Sequence, residues 1–114
     1  IVAPIITTTG SLSAFSTCAG TASAQQSFTT SGSNLTANLV VTPPAGYEVS
    51  TTSGSGFAST VTLVPSSGTV ATTTIYTRLT TAATGSPSGN ITVASTGATT
   101  QNVAVSGTVN INCA

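Results

Sequence analysis

Leu35-Thr-Ala-Asn-Leu-Val-Val-Thr-Pro-Pro-Ala-Gly-Tyr-Glu-Val-Ser-Thr51 is the stretch on which the reading of this chain turns. Leu35, Ala37, Leu39 and Val41 alternate with Thr36, Asn38, Val40 and Thr42, the period-two pattern of a half-buried strand. Pro43-Pro44-Ala45-Gly46 breaks that ladder, because proline donates no backbone N–H and glycine accepts a positive φ. Tyr47 and Val49 resume the alternation, with Glu48 and Ser50 on the opposite parity. Two strands around a proline-glycine corner are the elementary unit of an antiparallel β protein.

Working outward, the same signals recur. Ile1 to Pro4 reads as a linker or extended arm, and Ile5, Ile6 and Thr7 to Thr9 are strongly β-prone. Gly10 predicts a kink before Leu12 and Phe15, so the first strand is expected in two halves, each in a different sheet. Gln25 to Thr30 reads as a strand with Phe28 as its core anchor, and Ser31 to Asn34 as a turn. Phe57, Val61 and Leu63 mark another strand, and Thr72 to Thr80 the longest, with Ile75, Thr77 and Leu79 on one face and Tyr76 and Arg78 on the other. Ile91 and Val93, a hairpin corner at Gly97, and Val103, Val105 and Val109 complete the series. The pentapeptide TTSGS occurs at Thr29–Ser33 and again at Thr51–Ser55, and reads as turn chemistry at two strand ends. No segment has helical periodicity. Seven to eight antiparallel strands separated by turn signals predict an all-β sandwich with Greek-key connections.

Composition narrows the function. The 114 residues suit one domain. Charged residues make up 2% of the chain, Glu48 and Arg78 alone, against about 25% in ordinary soluble domains. One arginine cannot supply the basic footprint that nucleic acid or an anionic membrane surface requires. No apolar run reaches the roughly 18 residues of a membrane span. Ile1 reads as a processed end or an internal repeat boundary. Thr, Ser, Asn and Gln hydrate the surface in place of charge, so little keeps neighbouring molecules apart.

Cys18 and Cys113 are the chain's two cysteines, and there is no histidine. Zinc wants about four ligands, which two thiols and one carboxylate do not provide. A disulfide is the better reading, with two buried free thiols as the alternative. A Cys18–Cys113 bond would close nearly the whole chain into one loop, contribute up to about 4–5 kcal/mol, and imply an oxidising, extracytoplasmic location.

Candidate chemistry is sparse. Glu48 and Arg78 share the outward parity of their strands and read as a surface ion pair; glycoside hydrolysis normally needs two carboxylates, and the chain has one. Serine and threonine abound, but without His, Lys or Asp no base can take their proton. The glycines lack the lysine of a phosphate loop. No catalytic residue, cofactor or metal site is therefore expected. Asn34-Leu35-Thr36 and Asn90-Ile91-Thr92 match the glycosylation sequon, a weak signal in so Thr-rich a chain. Tyr47 sits at a core parity, which leaves Tyr76 as a lone aromatic for stacking on a sugar.

The runs Val41-Thr-Pro-Pro-Ala-Gly-Tyr-Glu-Val-Ser50, Leu63-Val-Pro-Ser-Ser-Gly-Thr-Val70, Thr74-Ile-Tyr-Thr-Arg-Leu79, Gly89-Asn-Ile-Thr-Val93 and Val103-Ala-Val-Ser-Gly-Thr-Val109 resemble the tandem immunoglobulin-like repeats of large secreted and cell-surface, adhesin-like proteins of Bacteroidota. The resemblance spans Leu12 to Val109 and implies an immunoglobulin-like sandwich that acts as a spacer. The cysteine pair and the near-absence of charge depart from that pattern and suggest a tough or densely packed assembly.

Together these readings predict an extended arm over residues 1–9 and a sandwich domain over 10–114. The expected function is a non-catalytic module of an extracellular stalk, fibre or filament, stacking with identical or similar modules. Ile1, Val2, Ala3, Pro4, Ile5 and Ile6 are the candidate contact between modules, by strand addition to a neighbour's sheet edge. The alternative is an adhesive or carbohydrate-binding module, with glycans as its partner.

Overall fold

Alternating β-branched and polar residues, punctuated by glycine and proline, build nine strands and no helix among the described residues, 3–111, of a computed structural model. In chain order they are β1 (Ile5–Thr9), β2 (Phe15–Cys18), β3 (Gln26–Ser33), β4 (Leu39–Thr42), β5 (Tyr47–Ser50), β6 (Val61–Leu63), β7 (Val70–Leu79), β8 (Ser88–Ala94) and β9 (Gln101–Asn110). They form two sheets, ordered β1-β3-β7-β5 and β2-β9-β8-β4-β6. The count exceeds the seven to eight expected because the first strand counts twice: it breaks at Gly10 (φ +106°), leaving β1 in one sheet and β2 in the other. The pairing is not wholly antiparallel either. β2 runs parallel to β9, Phe15 opposite Gly107 and Cys18 opposite Asn110, because the chain keeps its direction as it changes sheets.

A side chain stands in for the ladder at that crossing. The Gln26 carboxamide accepts from the Ser13 backbone N–H at 2.9 Å and donates to the Ser13 carbonyl at 3.0 Å, replacing both bonds that a neighbouring strand would make.

Two expectations for the stretch 35–51 are corrected. The alternation from Leu35 predicts a strand, but β4 begins at Leu39 and residues 35–38 bend. Asn34 takes φ +55°, and the Leu35 N–H donates to the Gly68 carbonyl at 2.8 Å, so Leu35 fills the end of the core from a turn. Nor do β4 and β5 pair with one another: β4 pairs with β6 and β8, β5 with β7. The corner Pro43–Gly46 carries the chain from one sheet to the other. Gly46 needs its φ of +91°, and a Cβ there would lie 3.0 Å from Pro87. The first TTSGS copy is likewise not a turn but part of β3, and only the second, Thr51–Ser55, turns.

Leu39, Val41, Val49, Ile75, Leu79, Ile91 and Val93 are fully enclosed between the sheets, with Phe15, Phe28 and Tyr47 around them. Each such side chain contributes roughly 1.5–3 kcal/mol of hydrophobic stabilisation before the ordering entropy is counted. The body measures 58 × 22 × 19 Å. Its long axis follows the strands and defines two poles. Pro4, the 33–38 bend, the 64–69 turn and the β8–β9 hairpin at Gly97 form one pole, where β1 begins opposite Ser33. Asn110, Cys18, the 43–46 corner and the 80–87 loop form the other, where the Val109 N–H meets the Gly85 carbonyl at 2.8 Å.

Candidate functional site

The chain's two charged side chains meet on the outer face of the first sheet. Glu48 and Arg78 are register partners across β5 and β7, and the Arg78 Nε–H donates to Glu48 Oε2 at 2.6 Å. The guanidinium also lies 4.0 Å over the centre of the Phe57 ring, a cation–π contact. Phe57 belongs to the loop between β5 and β6, so the pair presses that loop onto the sheet. Its neighbours reinforce the attachment: Val49 and Ala58 exchange backbone bonds at 2.9 and 2.8 Å, and the buried Ser50 hydroxyl accepts from the Thr52 N–H at 2.9 Å and donates to the Ser55 carbonyl at 2.5 Å. Gln25 reaches over from β3's entry, accepting from the Gly54 N–H at 2.8 Å and donating to Ser53 Oγ at 2.6 Å. The cluster is therefore a clamp. Its carboxylate is engaged by arginine, and carboxylate-pair hydrolysis would need a second acid that the sequence does not contain.

The other singled-out residues are scattered. Cys18 closes β2, opposite Asn110; Cys113 lies outside the described residues, as do Ile1 and Val2 of the proposed contact segment. Of that segment, Ala3 is exposed, Pro4 half-buried, Ile5 53% exposed and Ile6 buried in the core. Ile5 to Thr9 is thus not a detached arm: it is β1, an edge strand held by β3 in its own sheet. Asn34 and Asn90 are both exposed, the first in a turn and the second on β8, more than a strand's length of chain apart. Among the described residues no three His, Cys, Asp or Glu side chains gather as a metal-ligand set, and no helix is long and apolar enough to cross a membrane.

Tyr47 is a core residue with a polar tip. Its ring packs edge-on against Phe15, with centroids 5.4 Å apart, and its hydroxyl donates to the Pro87 carbonyl at 2.9 Å. Burial raises its pKa above the ordinary 10.0, since the phenolate would lose hydration there.

Two features escape a reading by strand parity. Phe57 lies in a loop and has no periodic position, so its place under Arg78 is set only by the tertiary fold. The second is a shallow hollow at the Pro4 pole, about 210 Å³, of mixed polar and apolar lining: Leu35, Thr36, Ala37, Asn38, Val64, Pro65 and Gly68. Its signal was present: Val64 follows Leu63 directly, breaking the alternation just before Pro65, and it stands 74% exposed.

The fold and these sites define an all-β protein of two packed sheets. No family model, curated protein or solved structure matches the chain.

Proposed function

We propose that the chain is a structural, non-catalytic module of an extracellular stalk, fibre or filament, an immunoglobulin-like sandwich that stacks end to end with copies of itself or similar modules. The observation that carries this reading is the polarity of the body: the chain enters at one end of a 58 Å axis and reaches Ile111 at the other. Modules so built join in line, whether through the chain or through contacts. The neutral surface supports dense stacking, because the sole acid and base neutralise one another and leave no repulsion between copies.

The strand order supports the immunoglobulin-like part. β1, β3, β7 and β5 occupy the places of strands A, B, E and D, and β9, β8 and β4 those of G, F and C. The connection departs from that plan in one place: the chain visits the D position (β5) before the edge strand beside C (β6), so the β4–β6 and β5–β7 pairs interleave. A Cys18–Cys113 disulfide belongs to the same reading and to an oxidising compartment. Cys18 sits opposite Asn110, and the chain bends at Ile111, two residues before Cys113.

Sedimentation equilibrium across a range of concentrations, with intact mass measured before and after reduction, tests the proposal. Association that grows with concentration, and a gain of two protons on reduction, are the expected results. A monomer at every concentration would refute stacking through contacts between separate copies and leave only joining through the chain.

A further inference from the structure

β7 is partnered along most of one side and along less than half of the other. β3 flanks it from Val70 to Thr77, whereas β5 pairs only with Tyr76 to Leu79. Ser50 is the reason β5 stops. Its hydroxyl accepts from the Thr52 N–H at 2.9 Å, and Thr52 bridges Ser55, so the residue that would next have faced Thr74 is folded into a turn. Beside the first half of β7 the first sheet therefore has an empty strand position.

The alternation of the ladder says which groups this leaves bare. Val49 exchanges both its backbone bonds with Ala58 on the outer side of β5, so Glu48 and Ser50 are the residues that bond across to Arg78 and Tyr76. Two residues before Tyr76, the same parity turns the Thr74 N–H and carbonyl to that side, where no strand pairs with it among the described residues. An open, mostly apolar hollow of about 420 Å³ lies along this edge, lined by Thr62, Leu63 and Val64 below it and by Val70, Ala71 and Thr73 of β7 itself. Val64 is 74% exposed there.

We infer that this empty position takes an extended, uncharged peptide segment of another protein, added as a strand beside Val70–Ile75. The bare main-chain donor and acceptor of Thr74 call for an extended backbone, which supplies both partners at once. The hollow sets the side chains. No ionisable group lines it, and the chain's two charges are spent on each other, so a charged residue entering it would lose water and gain no partner. Small or branched apolar residues at alternate positions fit, because alternate side chains of an added strand face the hollow. A second copy of this chain is the poorer occupant: each of its nine strands already sits in a sheet of its own body and would bring that body with it. The site lies along a flank of the sandwich and does not depend on the stacking proposal.

The test is NMR-detected amide hydrogen exchange on the full 114-residue chain, alone and with an end-blocked peptide of alternating valine and threonine. Without peptide, the Thr74 amide is expected to exchange much faster than those of Thr73 and Ile75, whose parity turns them to β3. Peptide should slow Thr74 by roughly tenfold or more, and the same peptide interrupted by proline should not. Val64→Lys and Ala71→Lys, both at exposed positions, should each weaken peptide binding by about tenfold while circular dichroism shows the fold unchanged. A Thr74 amide as protected as its neighbours at every protein concentration, without peptide, would mean that the edge is already covered and would overturn the site. Protection that grows with protein concentration alone would make a second copy the occupant and overturn the separate peptide. Thr74 exchange that the peptide leaves unchanged, or that the proline-interrupted peptide slows equally, would overturn strand addition.

Discussion

The two poles of the sandwich are closed by different means. At the Asn110 pole, bonds from both sheets converge. The Ser23 N–H and Oγ pair with the Leu79 backbone at 3.2 and 2.8 Å, the Thr80 N–H meets the Gly46 carbonyl at 3.0 Å, and Tyr47 reaches Pro87 in the opposite layer. At the Pro4 pole the closures are smaller: Leu35 to Gly68, Ser95 Oγ to the Ala37 carbonyl at 3.0 Å, and a hairpin turn from Ala98 to Ser95. Both ends keep surface hollows, about 210 Å³ at this pole and about 400 Å³ between the 43–46 corner and the 80–87 loop at the other. A nearly uncharged chain thus secures its ends with backbone carbonyls, and one tyrosine adds a tie between the two layers at the Asn110 pole.

The largest expected effect lies at the Asn110 pole. Tyr47→Ala removes a buried ring and should cost about 3–5 kcal/mol in denaturant unfolding. Tyr47→Phe keeps the packing with Phe15 and should cost only about 1 kcal/mol, for the lost bond to Pro87. Leu35→Ala at the Pro4 pole should cost about 2–3 kcal/mol, because a smaller side chain is removed and it borders a surface hollow. If Leu35→Ala proved costlier than Tyr47→Ala, the contrast between the poles would be wrong.

Alkaline titration sharpens the same point. The Tyr47 pKa is raised on folding, so the folded state holds its proton more tightly than the unfolded state does. That contribution is fully present below the unfolded value of about 10 and is lost as pH rises through the higher folded value. Thermal stability should therefore fall above about pH 10, and Tyr47→Phe should remove its share of that fall. An unchanged alkaline slope in the variant would contradict the assignment.

Between the poles, Thr77 is fully buried on β7, and its hydroxyl has no hydrogen-bond partner. Thr77→Val keeps the shape and removes the stranded group, and should stabilise the protein by about 1 kcal/mol. A loss of stability would mean that the hydroxyl finds a partner. The smallest effect is expected at the clamp, where Glu48 and Arg78 keep 20% and 30% of their side-chain surface. A double-mutant cycle with Glu48→Gln and Arg78→Leu should return a coupling of about 1 kcal/mol or less.

How much of this was legible follows from what each signal encodes. Parity placed Val49, Ile75, Leu79, Ile91 and Val93 in the core, because alternation reports burial directly. Gly46 and Gly97 marked reversals that do require positive φ. Parity misled at Leu35, which is buried without being in a strand: the periodic pattern recorded the destination of the side chain, not the path of the backbone. The corner after Thr42 was visible as a break, but which sheet follows depends on β7 and β8, residues far along the chain. TTSGS makes the limit plain. The same five residues form strand at Thr29–Ser33, where β1 and β7 flank them, and turn at Thr51–Ser55, where no strand does. The clamp was half visible, since parity aligned Glu48 with Arg78 but nothing local marked Phe57.

Small-angle X-ray scattering of the intact chain over a concentration series tests the central claim most directly, because it separates growth in length from growth in width. End-to-end stacking predicts a cross-section that stays near the 22 × 19 Å of one module while the longest dimension rises in steps of up to about 58 Å. A cross-section that thickens as the particles grow would mean that the modules join side by side through their sheet edges, and would contradict the account.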